Sequence, residues 1–207
     1  MDIDLIRARL AANPTQAPAE AIAAAATSDD AADLMIPPLV AAAVLVPILH
    51  GINPGVLLTK RTSHLKSPAG QVAFPGGRID PTDASPVAAA LREAYEEIGL
   101  PPGHAELLGR LPDYVTGTGF RISPVLAILP DPLPPLRPNP HEVEAIFTLP
   151  LHTLLDPAAP ERRRAEYRGR SREFWVWPHQ DHYIWGATAA ILVHLAERLR
   201  AEERAAA

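Results

Sequence analysis

The sequence predicts a mixed α/β (α+β) domain, and three observations carry that expectation. Apolar runs of strand length recur from Leu39 onward. A helix with both of its end signals in place interrupts them between Ser85 and Gly99. A second long helical pattern, Ile184 to Arg204, closes the chain. At 207 residues the natural prior is one domain with ample length for a single core.

Taken in order, Asp2 to Leu10 has the pattern of a short amphipathic helix. Asn13 to Asp33 is alanine-rich, carries Pro14 and Pro18 and holds few large apolar groups, so it reads as weak helix and linker. The chain therefore divides into an N-terminal helix and linker, 1–36, and a main domain, 37–207. Leu39 to Leu49, Gly55 to Arg61 and Gln71 to Phe74 are predicted strands. Phe74-Pro75-Gly76-Gly77 is a turn signal whose glycines allow close backbone approach to a ligand. Ser85-Pro86 suits an N-cap with proline at the first helical position. Gly99 suits an αL C-cap, and Pro101-Pro102 blocks continuation. Ala105 to Val115 and Phe120 to Leu129 follow as strands joined by Thr116-Gly117-Thr118-Gly119. Pro130 to Pro140 holds six prolines and should be an irregular, stiff loop. Val143 to Leu149 resumes the sheet, and Arg162 to Arg168 with Arg172 to Trp177 forms a hairpin around Gly169. Ile191, Leu192, Leu195 and Leu199 mark the buried side of the closing helix. Trp175, Trp177, Trp185 and Tyr183 form an aromatic cluster that reads as core in preference to a dimer face or a wall for a substrate arm.

Composition excludes several classes. A formal net charge of −5 argues against binding nucleic acid through its backbone. Zero cysteines exclude disulfides, Cys-ligated zinc and thiol catalysis. Leu39 to Leu49 is too short to span a bilayer and is interrupted by Pro47, so no membrane association is expected. Acidic Asp2 and Asp4 without an apolar stretch argue against a secretory signal, and the terminal Ala-Ala-Ala is not a peroxisomal address. The expectation is a cytoplasmic enzyme acting on a small molecule, with homodimerisation left open.

Chemistry concentrates in Arg92-Glu93-Ala94-Tyr95-Glu96-Glu97-Ile98-Gly99. On a helix Glu93, Glu96 and Glu97 fall at i, i+3 and i+4, so their carboxylates fan over roughly 100° of one face. Val87, Ala90, Leu91, Ala94 and Ile98 form a separate apolar stripe. Like charges this close repel, and a hard divalent cation would convert that repulsion into binding. Taken alone, the three glutamates read more readily as a solvated acidic face with Arg92 pairing Glu96. The flanking glycine loop, the exposed turn with Asp80 and Asp83, and the capped helix reverse that balance.

Together these features resemble the signature of the Nudix hydrolases, G-x5-E-x7-R-E-U-x-E-E-x-G-U with U aliphatic. Gly77 opens the match, and Arg92, Glu93, Glu96, Glu97, Gly99 and Leu100 fill its second half, with Ala94 at the first U. Asp83 stands at the first acidic position, one residue further from the arginine than usual. Upstream, Leu57-Leu58-Thr59-Lys60-Arg61-Thr62-Ser63 and Gly70-Gln71-Val72-Ala73-Phe74-Pro75-Gly76-Gly77 resemble the extra motif of the coenzyme A pyrophosphatase branch, LLTxRS…GxxxFPGG. That branch tends to carry the Asp and the one-residue insertion. Thr62 replaces its Ser, and Lys66 stands where arginine is common, which loses bidentate phosphate geometry.

The resemblance implies an α/β/α sandwich with a mixed sheet and a loop–helix–loop motif. It implies Mg²⁺ or Mn²⁺ held by Glu93, Glu96 and Glu97, with the Gly77 carbonyl a further ligand. Arg92 would orient the loop and pair with Asp83. A further acid outside the helix would complete the site or serve as base, with Glu142 chosen over Glu144. The implied substrate is coenzyme A or its oxidised or acylated forms, with Arg61, Lys60, Lys66 and Arg78 available to its 3′-phosphate and Gly76 in the binding loop. His50, His64 and His141 are further candidates for substrate contact. The rival expectations are a Nudix activity on ADP-ribose, a dinucleotide or a nucleoside triphosphate, and a nucleotide sensor without catalysis.

Overall fold

The computed structural model describes residues 2–11, 38–63, 70–167 and 169–200. Its centre is an eight-stranded sheet. Strand β1 (Val40–Leu49) runs parallel to β7 (Phe120–Ile128) in register from Val40↔Phe120 to Ile48↔Ile128. Strand β2 (Gly55–Arg61) starts antiparallel to β1 at Ile48↔Val56. It then pairs with β3 (Val72–Ala73) near its end and with β8 (Val143–Pro150) along its length. Beside the start of β1 the partner is β4 (Gly76–Arg78), from Ala42↔Arg78 to Val44↔Gly76. Strands β5 (Glu106–Arg110) and β6 (Tyr114–Val115) pair antiparallel with β7. One parallel pair among antiparallel ones makes the sheet mixed, as expected.

Both faces of this sheet are buried, which is why β1 and β7 read as nearly continuous apolar runs. Helix α2 (Pro86–Ile98) covers one face and packs Ala89, Ala90, Ala94 and Ile98 against Ala43, Leu45, Leu57 and Val125. Its alanines let it lie close to the strands, and fully burying a side chain such as Ile98 contributes about 1.5–3 kcal/mol. Helices α1 (Ile3–Ala11) and, later in the chain, α4 (Gly186–Arg200) cover the other face, with Ile6, Leu10, Ile191, Leu192, Leu195 and Leu199 packed toward Val46, Ile48 and Leu126. The layers are therefore α/β/α. Helix α1, assigned on sequence to the segment before the main domain, shares the core of that domain. Arg7 forms two hydrogen bonds to Glu106, at 2.8 and 2.7 Å, and the Arg9 guanidinium donates to the Leu199 carbonyl. A separate three-stranded sheet holds β9 (Glu161–Tyr167), β10 (Arg170–Trp177) and β11 (Ile184–Trp185).

Several expectations need correction. Gly76–Arg78, read as part of a loop, is strand β4, because pairing satisfies backbone groups that β1 would otherwise leave open. The run Ala105 to Val115 is two strands broken at Leu111-Pro112-Asp113, where Pro112 has no N–H for the ladder. Ile184–Trp185 is strand, not helix, and α4 begins only at Gly186, whose φ of 63° marks the bend. Helix α3 (Leu151–Leu155) and the short 3₁₀ turn Pro102–His104 carry no sequence signal that foretold them. The aromatic cluster divides. Trp177 is core, its indole N–H donating to the Ala189 carbonyl at 3.0 Å, whereas Tyr183 and Trp185 are exposed and Trp175 lies under the Arg162 guanidinium. Asn13 to Asp33, His64, Lys66, Arg168 and the end of the predicted closing helix, 201–204, fall outside the described residues. Among the described residues no helix is long and apolar enough to cross a membrane.

Candidate active site

Helix α2 is fixed at both ends by the residues its sequence announces. Ser85 Oγ accepts the Ala88 N–H at 3.1 Å, and Gly99, at φ 68°, donates to the Tyr95 carbonyl at 2.9 Å. Glu93, Glu96 and Glu97 thus occupy the last two turns, where carboxylates oppose the helix dipole and no basic residue stands in the final turn. A fold selected for stability alone would not put three acids there.

Arg92 ties this helix to the preceding turn. Its Nε and Nη2 donate to both oxygens of Asp83, at 3.0 and 2.9 Å. Nη2 also donates to the Arg78 carbonyl at 3.2 Å, and Nη1 reaches Glu93 at 2.9 Å and Glu96 at 3.1 Å. The guanidinium holds Asp83 below the usual carboxylate range. Asp83 in turn accepts the Asp80 N–H at 2.8 Å, so turn and helix form one hydrogen-bonded unit.

Glu97 is the unusual carboxylate. It is 3% exposed, with Oε2 accepting the Gly76 N–H at 3.1 Å and Oε1 accepting from Arg61 at 3.3 Å. Burial pushes its carboxyl up to about 7, against the opposing pull of Gly76 and Arg61 and with added repulsion from Glu142 and Glu93. Burial also raises Glu93, opposed by Arg92 and reinforced by Glu96 and Glu142. Glu93 folds against the glycine loop so closely that a Cβ on Gly77 would lie 2.6 Å from its carboxyl group. At Gly76, φ 157°, a Cβ would meet the Ala43 carbonyl oxygen at 2.4 Å. Backbone approach requires glycine at 76, whereas a side chain at 77 would displace the Glu93 carboxylate.

The donor set fits a hard divalent cation. It is all oxygen, partly buried and mutually repelling, and the Gly77 backbone lies against Glu93. As the side chains stand, Arg92 holds Glu93 and Glu96 while Arg61 holds Glu97. Among the described residues no three His, Asp or Glu side chains form a closed metal cluster. Binding an ion therefore requires the carboxylates to exchange these guanidinium contacts for it.

The other candidates separate. Glu142 is near enough to raise both Glu93 and Glu97. Glu144 instead pairs with Lys60 at 2.6 Å. Along β2, Leu57 faces α2 and Leu58 faces the opposite core, so alternation carries Arg61 to the Glu97 side and Lys60 away from it. Arg78 sits beside Gly77 with its guanidinium 5.7 Å from the Phe120 ring and makes no ion pair among the described residues. His50 lies beyond the far end of β1, lining a cleft with Arg7 and Glu106, and is not brought to the carboxylates. His141 is exposed, and its backbone is what the structure engages. Sequence reasoning missed Asn139, whose N–H donates to the Glu97 carbonyl at 2.8 Å. The Asn-Pro pair that closes the proline-rich loop was the available signal.

Residues 39–169 match the NUDIX domain, a span that holds every carboxylate of this site. The chain belongs to the Nudix family. A relative in Escherichia coli (strain K12), "Uncharacterized Nudix hydrolase NudL", is 45% identical over 155 residues, covering 75% of this chain and 80% of that protein. Its counterpart in Salmonella paratyphi B is 46% identical over the same length and shares. Solved Nudix structures resemble it at lower identity. The NUDIX domain of Shewanella oneidensis NrtR complexed with ADP ribose is 19% identical, with a TM-score of 0.48, covering 82% of this chain and 90% of that one. The Ap4A hydrolase of C. elegans is 23% identical, with a TM-score of 0.46, covering 55% and 82%. The family match and the 45% identical relative make this a Nudix hydrolase.

The raised Glu97 carboxyl gives this Nudix hydrolase a pH dependence of stability. In the metal-free protein the folded state holds the proton more tightly than the unfolded chain, whose carboxyl titrates near 4.5. The folded state then binds more protons between 4.5 and about 7, so stability present below 4.5 declines as the pH rises through that window. Thermal midpoints in chelator should fall over this range in the native sequence and change less in Glu97→Gln. Identical slopes for the two proteins would show that Glu97 does not titrate there.

Proposed function

We propose that this Nudix hydrolase cleaves the pyrophosphate of coenzyme A, or of its acylated or oxidised forms, to (acyl-)phosphopantetheine and 3′,5′-ADP with Mg²⁺ or Mn²⁺. The observation that supports this reading is the meeting of its two motifs on one side chain. Glu97, from the helix motif, accepts from Arg61 of the upstream motif and from Gly76 of the glycine loop. This contact supports including the upstream motif, which resembles that of the coenzyme A branch, in the reaction site.

Glu93, Glu96 and Glu97 would hold the cation, with the Gly77 carbonyl as a further ligand. When bound, such an ion neutralises phosphate charge and lowers the pKa of a coordinated water. Arg92, through Asp83 and the Arg78 carbonyl, keeps the glycine loop and helix in register. Glu142, close to Glu93 and Glu97, is the group to accept a proton from the attacking water. The water oxygen forms the new P–O bond, and the bridging oxygen leaves on the other phosphate.

For the 3′-phosphate, Arg78 is the best supported cation. Lys60 is engaged by Glu144 and faces the other side of the sheet, while Arg61 is engaged by Glu97. A charge-assisted contact of about 1.5–3 kcal/mol corresponds to roughly ten to a hundredfold in kcat/KM. Coenzyme A should therefore be turned over faster than dephospho-coenzyme A by that factor, with the gap shrinking in Arg78→Ala and with added salt. Equal kcat/KM for coenzyme A, dephospho-coenzyme A and ADP-ribose would sink the coenzyme A reading and leave a general nucleoside-diphosphate hydrolase.

A further inference from the structure

We infer that Thr62 and Asn139 are positioning residues that fix Glu142 against the carboxylate face of α2. The inference rests on the proposed role of Glu142 and adds how the chain holds that residue in place.

Helix α2 stops at Gly99, so the carbonyls of Glu97 and Ile98 lack partners within the helix. The proline-rich loop supplies them. The Arg137 N–H donates to the Ile98 carbonyl and the Asn139 N–H to the Glu97 carbonyl, each at 2.8 Å. A segment with six prolines has few N–H groups to give, and two of them go to the end of the catalytic helix. Asn139 then closes a tight turn. Its Oδ1 accepts the His141 N–H at 3.1 Å, and its carbonyl accepts the N–H of Glu142 at 3.0 Å and of Val143 at 2.8 Å. Pro140 falls where no donor is needed.

From the other side comes Thr62, the hydroxyl position of the upstream motif. It is 6% exposed. Its N–H donates to the Glu142 carbonyl at 3.0 Å, and its Oγ1 donates to the His141 carbonyl at 3.3 Å. Both backbone polar groups of Glu142 are therefore bound, one by each clamp. The connections close a ring. Glu97 is joined by its side chain to Arg61, Arg61 by the chain to Thr62, Thr62 to Glu142, and Glu142 through Asn139 to the Glu97 backbone. The ring fixes the Glu142 backbone at both of its polar groups, and so sets the point from which its side chain reaches toward the helix. The hydroxyl of the upstream motif thus acts on the protein backbone.

A merely structural hydroxyl and a positioning one differ in how they combine with Glu142. The test measures kcat and KM for Thr62→Val, Thr62→Ser, Asn139→Ala and Asn139→Asp, each with Glu142 intact and in Glu142→Gln. The substrate is whichever pyrophosphate is turned over fastest, so the outcome does not depend on the coenzyme A assignment. With Glu142 intact, Thr62→Val and Asn139→Ala should lower kcat by about 10-fold to 100-fold with KM unchanged, because each removes a side-chain bond to the His141 backbone that shapes the turn carrying Glu142. Thr62→Ser and Asn139→Asp, which keep the donor or acceptor, should retain kcat. In Glu142→Gln the same two damaging changes should add no further loss, because the group they position is already disabled. Multiplicative losses in that background, or full kcat in both Thr62→Val and Asn139→Ala, would overturn the inference while leaving Glu142 in its role. Full kcat in Glu142→Gln itself would remove that role and the inference with it. Two separate clamps keep the test decisive should one variant fail to fold.

Discussion

Glu97→Gln should lower kcat by at least about 10²-fold, roughly 3 kcal/mol of barrier. Glutamine keeps the size of the side chain and can still accept the Gly76 N–H, so the loop geometry survives. What it loses is the negative charge buried beside Glu93 and Glu142. Removing that charge relieves repulsion in the metal-free protein, so the thermal midpoint near neutral pH should not fall while activity collapses. This opposition between stability and activity marks a functional side chain, since loss of a packing residue lowers both. Steady-state kcat at saturating and limiting Mg²⁺, with thermal midpoints in chelator, checks it. Full activity of the variant at limiting metal would remove α2 as the metal site.

Arg92→Ala comes second, with an expected fall in kcat/KM of about 10²-fold, the scale associated with misplacing catalytic groups by about an ångström. One guanidinium joins Asp83, the Arg78 carbonyl, Glu93 and Glu96, so its loss releases the turn and two carboxylates at once. Arg92→Lys retains the charge but not the fork that engages both oxygens of Asp83, and should recover only part of the activity. Parallel kinetics with an Asp83→Asn variant localise the effect. Should Asp83→Asn alone remain fully active, the bidentate contact would not be what orients the loop.

The parts of this molecule legible in the sequence are those fixed by local chemistry. The ends of α2 depend on Ser85, Pro86 and Gly99, each acting on its own neighbours, and they fall where the sequence indicates. β2 likewise spans Gly55–Arg61 as read. Elements set by distant partners were not legible. β4 is a strand only because β1 has an edge to offer, and Ile184–Trp185 is extended only because β10 lies beside it. The same division runs through the site. The carboxylates are visible as a periodic pattern within one helix, and the Asp83–Arg92 contact lies within one loop–helix unit. Lys60 and Arg61, adjacent in sequence, look equivalent until strand alternation sends them to opposite faces of the sheet. Asn139 was hidden because its contribution to Glu97 is a backbone N–H, which every residue but proline carries.

Product analysis is the most direct test of coenzyme A hydrolysis. The purified protein is incubated with coenzyme A, with and without Mg²⁺ or Mn²⁺, and the nucleotides and pantetheine compounds are separated. 3′,5′-ADP and 4′-phosphopantetheine should appear in equal amounts, only when the divalent ion is present and not with Glu97→Gln. Intact coenzyme A under conditions in which the same preparation hydrolyses ADP-ribose or a nucleoside triphosphate would contradict it.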